Sequence, residues 1–161
     1  MALSQSHWAA VKADILADPT LNAFPNNSDG AFAIAAIYNT VASPDFTVWK
    51  TNVPIGDIGK KFDNTELAGL TSLNHTRLQT LAIFLSAGVN PSVAGNRAFF
   101  DDIFSGAGGT NTRAALLTLW KRLATRLEKL LATGTGSNSV PATITHEGNV
   151  SYQDIMSARN S

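Results

Sequence analysis

RAALLTLWKRLATRLEKLLA, residues 113–132, decides how the chain is read. At 100° per residue, Leu116, Leu119, Trp120, Leu123, Leu127, Leu130 and Leu131 fall within a sector of roughly 120°. Thr118, Lys121, Arg122, Thr125, Arg126 and Lys129 take the opposite side. This period predicts one continuous amphipathic helix from about Thr112 to Ala132, with its leucine face in the core. Arg122, Arg126 and Lys129 then share an outer face, which either meets phosphate or an acidic partner surface or is simply solvated.

Downstream, GTGSNS (residues 134–139) has the composition of a flexible linker. The tail VPATITHEGNVSYQDIMSARNS (140–161) is too polar and too short to fold by itself. Pro141 to Thr145 reads as extended. Ser151 with Asp154 three residues on forms a capping box, so Tyr152 to Arg159 is expected to be a short helix. Ile144, Val150, Tyr152, Ile155 and Met156 are the apolar set of this tail. They either anchor it in a partner's groove or edge, or fold it back over its own core. The expected organisation is a compact, mainly α helical bundle over 1–133, followed by a C-terminal docking arm over 134–161. Burying those anchors must offset an ordering cost of about 1–2 kcal/mol per residue. The arm is therefore expected to be mobile in a free subunit and ordered on a partner.

Upstream, Ser4 is an N-cap for a helix carrying Trp8, Val11, Ile15 and Leu16, and Asp18-Pro19 stops it. Ser28-Asp29 opens a second helix, Gly30 to Ala42, apolar nearly all round and hence central. Phe46 to Lys50 (FTVWK) is a strand candidate, and Thr51 to Asp63 reads as a loop or one irregular turn. A helix is expected from Thr65 to Ala87, placing Leu67, Leu70, Leu73, Leu78, Leu81, Phe84 and Leu85 at helical spacing, with interruption at Gly69 and Thr71-Ser72. Gly88 stands where a C′ glycine belongs. Asn90-Pro91-Ser92 reads as a cap with proline at the first helical position, opening a helix with Val93, Phe99, Phe100, Ile103 and Phe104.

The chain has 161 residues, enough for one core. Only 15% are charged against 44% hydrophobic, which excludes disorder and suggests a surface partly covered by other chains. Net charge is zero but uneven: −3 over 1–112, +4 over 113–133 and −1 over 134–161. A domain-wide basic footprint is absent. Without cysteine there is no disulfide, thiolate catalysis or cysteine-held metal. The N-terminus lacks the pattern of a secretion signal, and Leu78 to Val89 falls far short of a membrane span of about 20 residues.

No motif carries catalysis. His7, His75 and His146 are dispersed, and Asp101-Asp102 points its carboxylates about 100° apart. Gly56-Asp57-Ile58-Gly59-Lys60-Lys61 has the wrong spacing for a phosphate loop. Gly106-Ala107-Gly108-Gly109 reads as a helix–helix connection. No cofactor, metal site or enzymatic activity is expected.

Several blocks together resemble a known family: VWKTNVPIGDIG (48–59), ELAGLTSLNHTRLQTL (66–81), NPS (90–92), RAFFDDIFSGAGG (97–109), TRAALLTLWKRLATRLEKLLATGTGS (112–137) and PATITHEGNVSYQDIMSARN (141–160). They resemble small virion structural proteins of tailed bacteriophages, and size, helical character and C-terminal arm are similar to the head-to-tail adaptors of short-tailed phages. The resemblance covers residues 45–161 well and 1–44 weakly. It implies a ring of identical subunits, a dodecamer matching the portal, located at the head–tail junction of the virion after synthesis in the host bacterial cytoplasm. Its partners would be the portal protein, tail or nozzle proteins and its own copies, with Ile144, Val150, Tyr152 and Ile155 docking on the portal or an adjacent subunit. The basic helix would face packaged DNA or acidic protein. Another neck, tail-completion or capsid-decoration role is the near alternative. A small helical DNA-binding regulator using Arg122, Arg126 and Lys129 is the alternative from a different class.

Overall fold

A computed structural model describes residues 3–84 and 87–161. The fold is mainly α, with 56% helix against 10% strand. It is organised as two compact units, Met1–Val48 with Leu123–Ser161 and Trp49–Arg122. The second is inserted into the first, and the chain passes between them at 48–49 and at 122–123. These bounds differ from the expected 1–133 and 134–161, and residues 134–161 fall within the first unit.

Unit 1 opens with α1 (Gln5–Ala17), whose capping box joins the Ser4 side chain to the His7 N–H and the His7 side chain to the Ser4 N–H. Asp18 ends α1 and caps α2 (Pro19–Asn22), with Pro19 in the first turn where its missing N–H costs nothing. The cap of α3 (Ser28–Tyr38) is Asn27, one residue before the expected Ser28-Asp29. Gly30 is required there, because a Cβ would lie 2.0 Å from the Pro25 carbonyl oxygen. As expected, α3 is central, burying Ala31, Ile34, Ala35 and Tyr38, and α1 buries Val11 and Ile15. Leu16 instead faces outward, 61% exposed. The strand candidate is present as β1 (Thr47–Trp49).

In unit 2, the expected loop over 51–63 contains α4 (Ile55–Gly59). The long helix expected from Thr65 is two: α5 (Asn64–Ala68), capped by Asp63, and α6 (Ser72–Phe84), separated at the suspected Gly69–Thr71 break. The side chain of Phe84 and all of Leu85 and Ser86 lie outside the described residues, and Ala87, the expected helix end, is in a turn. Gly88 has φ +108°, and a Cβ there would meet the Asn52 Oδ1 and the Val53 carbonyl oxygen at 2.4 and 2.8 Å. α7 (Ala94–Ile103) starts after Val93, so Pro91 is not its first residue. The Asn90 side chain instead accepts from the Ser92 N–H at 2.9 Å, a local turn that competes with a helix start. Phe100, Ile103 and Phe104 form the centre of this unit with Ile58, Leu116 and Trp120. The Glu66 carboxylate accepts from the Asn111 and Thr112 N–H groups, each at 2.8 Å, capping the next helix from a distance.

The principal correction concerns residues 113–132. There is no single helix: α8 (Thr110–Leu119) closes at Trp120, β2 (Lys121–Leu123) is extended, and α9 (Arg126–Leu131) starts afresh. Thr125 has extended backbone, its side chain accepts from the Glu128 N–H, and the Glu128 side chain accepts from the Thr125 N–H. That is a full capping box, spelled T-x-x-E inside the quoted stretch. The apolar period runs across the break because α8 gives Leu116 and Trp120 to the core of unit 2, and α9 gives Leu127 and Leu131 to the core of unit 1. Leu123, expected in the core, is 46% exposed. Unit 1 is completed by a hairpin of β3 (Ala132–Thr133) and β4 (Thr143–Ile144), with Ala132 opposite Ile144, and by α10 (Tyr152–Asn160). Among the described residues no helix is long and apolar enough to cross a membrane.

Candidate functional site

The tail is seated on its own unit. Its two local signals are present, since residues 143–144 are extended and Ser151 and Asp154 form the capping box of α10. Ile144, Val150 and Ile155 are buried, and Tyr152 stacks on Phe32 with ring centroids 4.1 Å apart. The Asn39 side chain acts as a strand partner for Val150, donating to its carbonyl at 3.0 Å and accepting from its N–H at 2.8 Å. Arg159 donates to the Phe24 and Pro25 carbonyls at 3.0 and 2.9 Å, and Lys12 donates to the Ser161 carbonyl oxygen. The four expected partner anchors therefore make contacts inside the subunit, and 134–161 belongs to unit 1, giving Ala142, Ile144, Val150, Ile155 and Ala158 to its cores. An apolar set of this kind satisfies its burial demand on whichever hydrophobic surface is nearest, and α1 and α3 supply one.

Beside this seat lie two of the three histidines. His7 Nδ1 accepts from the Ser4 N–H at 3.4 Å, so its neutral ring carries the proton on Nε2, which donates to Thr145 Oγ1 at 3.2 Å. Thr145 in turn donates to the Leu131 carbonyl at 3.0 Å. His146 is 3% exposed, its Nε2 has no partner, and its ring centroid is 6.1 Å from that of His7. Burial, then the nearby His7, holds His146 below the ordinary histidine range. Glu128, 1% exposed, accepts from the Gly148 N–H at 3.2 Å. His75 belongs to α6 in the other unit. Among the described residues no three His, Cys, Asp or Glu side chains are grouped to hold a metal.

The three residues of the expected basic face do not share one helix. Arg122 belongs to β2 in unit 2, whereas Arg126 and Lys129 stand on α9 in unit 1. The Arg126 guanidinium pairs with Asp18 at 2.7 Å and Asp14 at 3.2 Å, and lies 5.4 Å from the Tyr38 ring centre. Its hydrogen bond holds the Asp18 carboxyl below the usual range. The Tyr38 hydroxyl donates to Asp14 at 2.8 Å, and burial together with that carboxylate pushes the phenol up. Lys129 donates to the Pro44 carbonyl at 3.3 Å and lies 5.7 Å from the Phe46 ring centre. Of the remaining charged candidates, Asp102 pairs with Arg77 and Asp57 with Lys60, each at 2.8 Å.

Sequence spacing did not reveal the cleft that Arg126 and Lys129 share, about 700 Å³ in volume. Asp14, Ile37, Leu130 and the consecutive residues Thr40, Val41, Ala42 and Ser43 complete its lining. Its local signal was weak, because residues 40–43 hold a single isolated bridge residue, Val41, between bends, and only Val41 and Ala42 are apolar. Among the described residues, eight large apolar side chains are more than a third exposed, Leu16, Phe32, Val41, Leu123 and Val140 on unit 1 and Leu73, Val93 and Leu117 on unit 2. No protein-family model, curated protein or solved structure matches the chain.

Proposed function

We propose that the chain is a structural virion protein, a head-to-tail adaptor whose copies form a ring beneath the portal and connect the capsid to the tail. The observation that carries this reading is the exposure of eight large apolar side chains, spread over both units, in a chain of only 15% charged residues. Single exposed leucines are ordinary. A ring subunit, however, meets two neighbours through heterologous surfaces and further partners above and below, so it needs apolar contact positions in several places. The resemblance of residues 45–161 to such adaptors supports the same reading and supplies the ring of twelve. The partners are then the portal, tail or nozzle proteins and further copies of the chain, at the head–tail junction.

The DNA-binding regulator is the weaker reading. It needs Arg122, Arg126 and Lys129 as one phosphate-facing set, and they are divided between α9 and β2, with Arg126 already facing two carboxylates. Co-expression with the portal protein, followed by native mass spectrometry, tests the proposal. The expected species is one portal ring carrying twelve copies of this chain. Binding to the capsid shell with no affinity for the portal would instead make it a decoration protein, and stable DNA binding by the free chain would favour the regulator.

A further inference from the structure

We infer that the backbone edge at Thr40–Ser43 receives an added β-strand from a partner protein, an extended segment presenting an acidic side chain to Lys129. The inference stands on the cleft alone and holds whether or not the partner is a portal.

The first observation is the direction of the unused hydrogen-bonding groups. The Ala42 N–H donates to the Ala124 carbonyl and the Arg126 N–H to the Thr40 carbonyl, each at 2.9 Å. These two bonds flank the antiparallel pair Val41–Thr125. Val41 is thus a non-hydrogen-bonded position, so its own N–H and C=O are directed away from the Thr125 strand. Neither has a partner among the described residues. An unpaired edge of this kind is a template for another strand.

The second observation is space. Thr40, Val41, Ala42 and Ser43 all line the cleft, so an incoming chain has room beside the edge that it would pair with. The third is chemistry. Ile37, Leu130 and the 59% exposed Val41 offer apolar contact for alternate side chains of an extended segment. The charged lining is two cations against one carboxylate, and that carboxylate, Asp14, is already taken by Arg126 and the Tyr38 hydroxyl. Among the described residues the partners of Lys129 are a neutral carbonyl and an aromatic face. The unmet charge in the cleft is therefore positive, and a carboxylate on the added strand complements it.

The test uses the full chain, isotopically labelled, and two synthetic extended peptides at millimolar concentration, Thr-Val-Glu-Val-Thr and Thr-Val-Lys-Val-Thr with blocked ends. Amide shifts and hydrogen exchange are read residue by residue. The Glu peptide is expected to shift and protect the Val41 amide and to bind about threefold to tenfold more tightly than the Lys peptide, as opposed and like cross-strand charges differ. Lys129→Glu should reverse that preference. Val41→Pro, tolerated at a strand edge, should abolish the response while circular dichroism stays native. A Val41 amide untouched by either peptide, equal binding of the two, or a preference unchanged by Lys129→Glu would each overturn the inference.

Discussion

Leu123 and Leu127 are four residues apart, and on one continuous helix they would share a face and a fate. In the structure Leu127 has no exposed surface, in the core of unit 1, whereas Leu123 is 46% exposed in an extended segment. Truncating a fully buried leucine to alanine removes its transfer free energy and leaves a cavity, a loss of about 2–5 kcal/mol. Full burial of a leucine is worth about 1.5–3 kcal/mol, so a side chain nearly half in water forfeits about 1 kcal/mol and leaves no closed cavity. Leu127→Ala should therefore be more destabilising than Leu123→Ala by about 2 kcal/mol or more. In a chain of this size that gap separates the melting temperatures by roughly 4–8 °C. Urea titrations of the full chain followed by circular dichroism measure both losses under one set of conditions. Equal losses for the two substitutions would refute the break between Trp120 and Thr125.

Three further outcomes follow from the same geometry. Removing residues 138–161 takes Ile144, Val150, Ile155 and Ala158 out of their cores; at about 2–4 kcal/mol for each large side chain this rivals the 5–15 kcal/mol that stabilises a typical domain, so the truncated chain should lose its cooperative unit 1 transition. A truncated chain that melts like the intact one would restore the detachable arm. Gly30→Ala, which in an open helix would gain up to about 1 kcal/mol, should instead cost about 1–3 kcal/mol because of the Pro25 carbonyl, as read by thermal melting; a stabilised variant would contradict the packing. Acidification should weaken the fold through His146. Its folded-state pKa is depressed from 6.5, so its contribution is intact above that value and declines as the pH falls through it, when the unfolded chain takes up the proton first. His7 adds to the effect, and Asp154 and Glu128 oppose it. The urea midpoint measured between about pH 7.5 and 5.5 should fall more steeply for the natural chain than for His146→Leu, and identical slopes would remove His146 from the account.

What could be read from the sequence was local. Ser4 and Ser151 announced their caps and Asp18-Pro19 the end of α1, because each is decided by residues within one turn of each other. FTVWK was legible as a strand from its β-branched and aromatic content. The quoted stretch misled because its 3.6-residue period is compatible with one helix or with two helices serving different units. The capping box Thr125–Glu128 was the one local sign of the break, and the stronger periodic signal masked it. The tail anchors were recognised as apolar, but the pattern Ile144, Val150, Ile155 asks only for a hydrophobic surface and does not say whose. Asn39, which completes the seat through two hydrogen bonds to Val150, stands 111 residues away and had no spacing to reveal it. The cleft likewise depends on bringing 40–43 beside α9, a long-range pairing that no local rule predicts.

The adaptor reading is tested most directly by a cryo-electron microscopy reconstruction of the particle, with no symmetry imposed at the neck, into which the two units are placed as separate bodies. The account predicts twelve copies of the chain in a ring between portal and tail, with the 134–161 segment of each copy seated on its own α1 and α3. Density for the chain elsewhere on the particle, or its absence from purified particles, would contradict it.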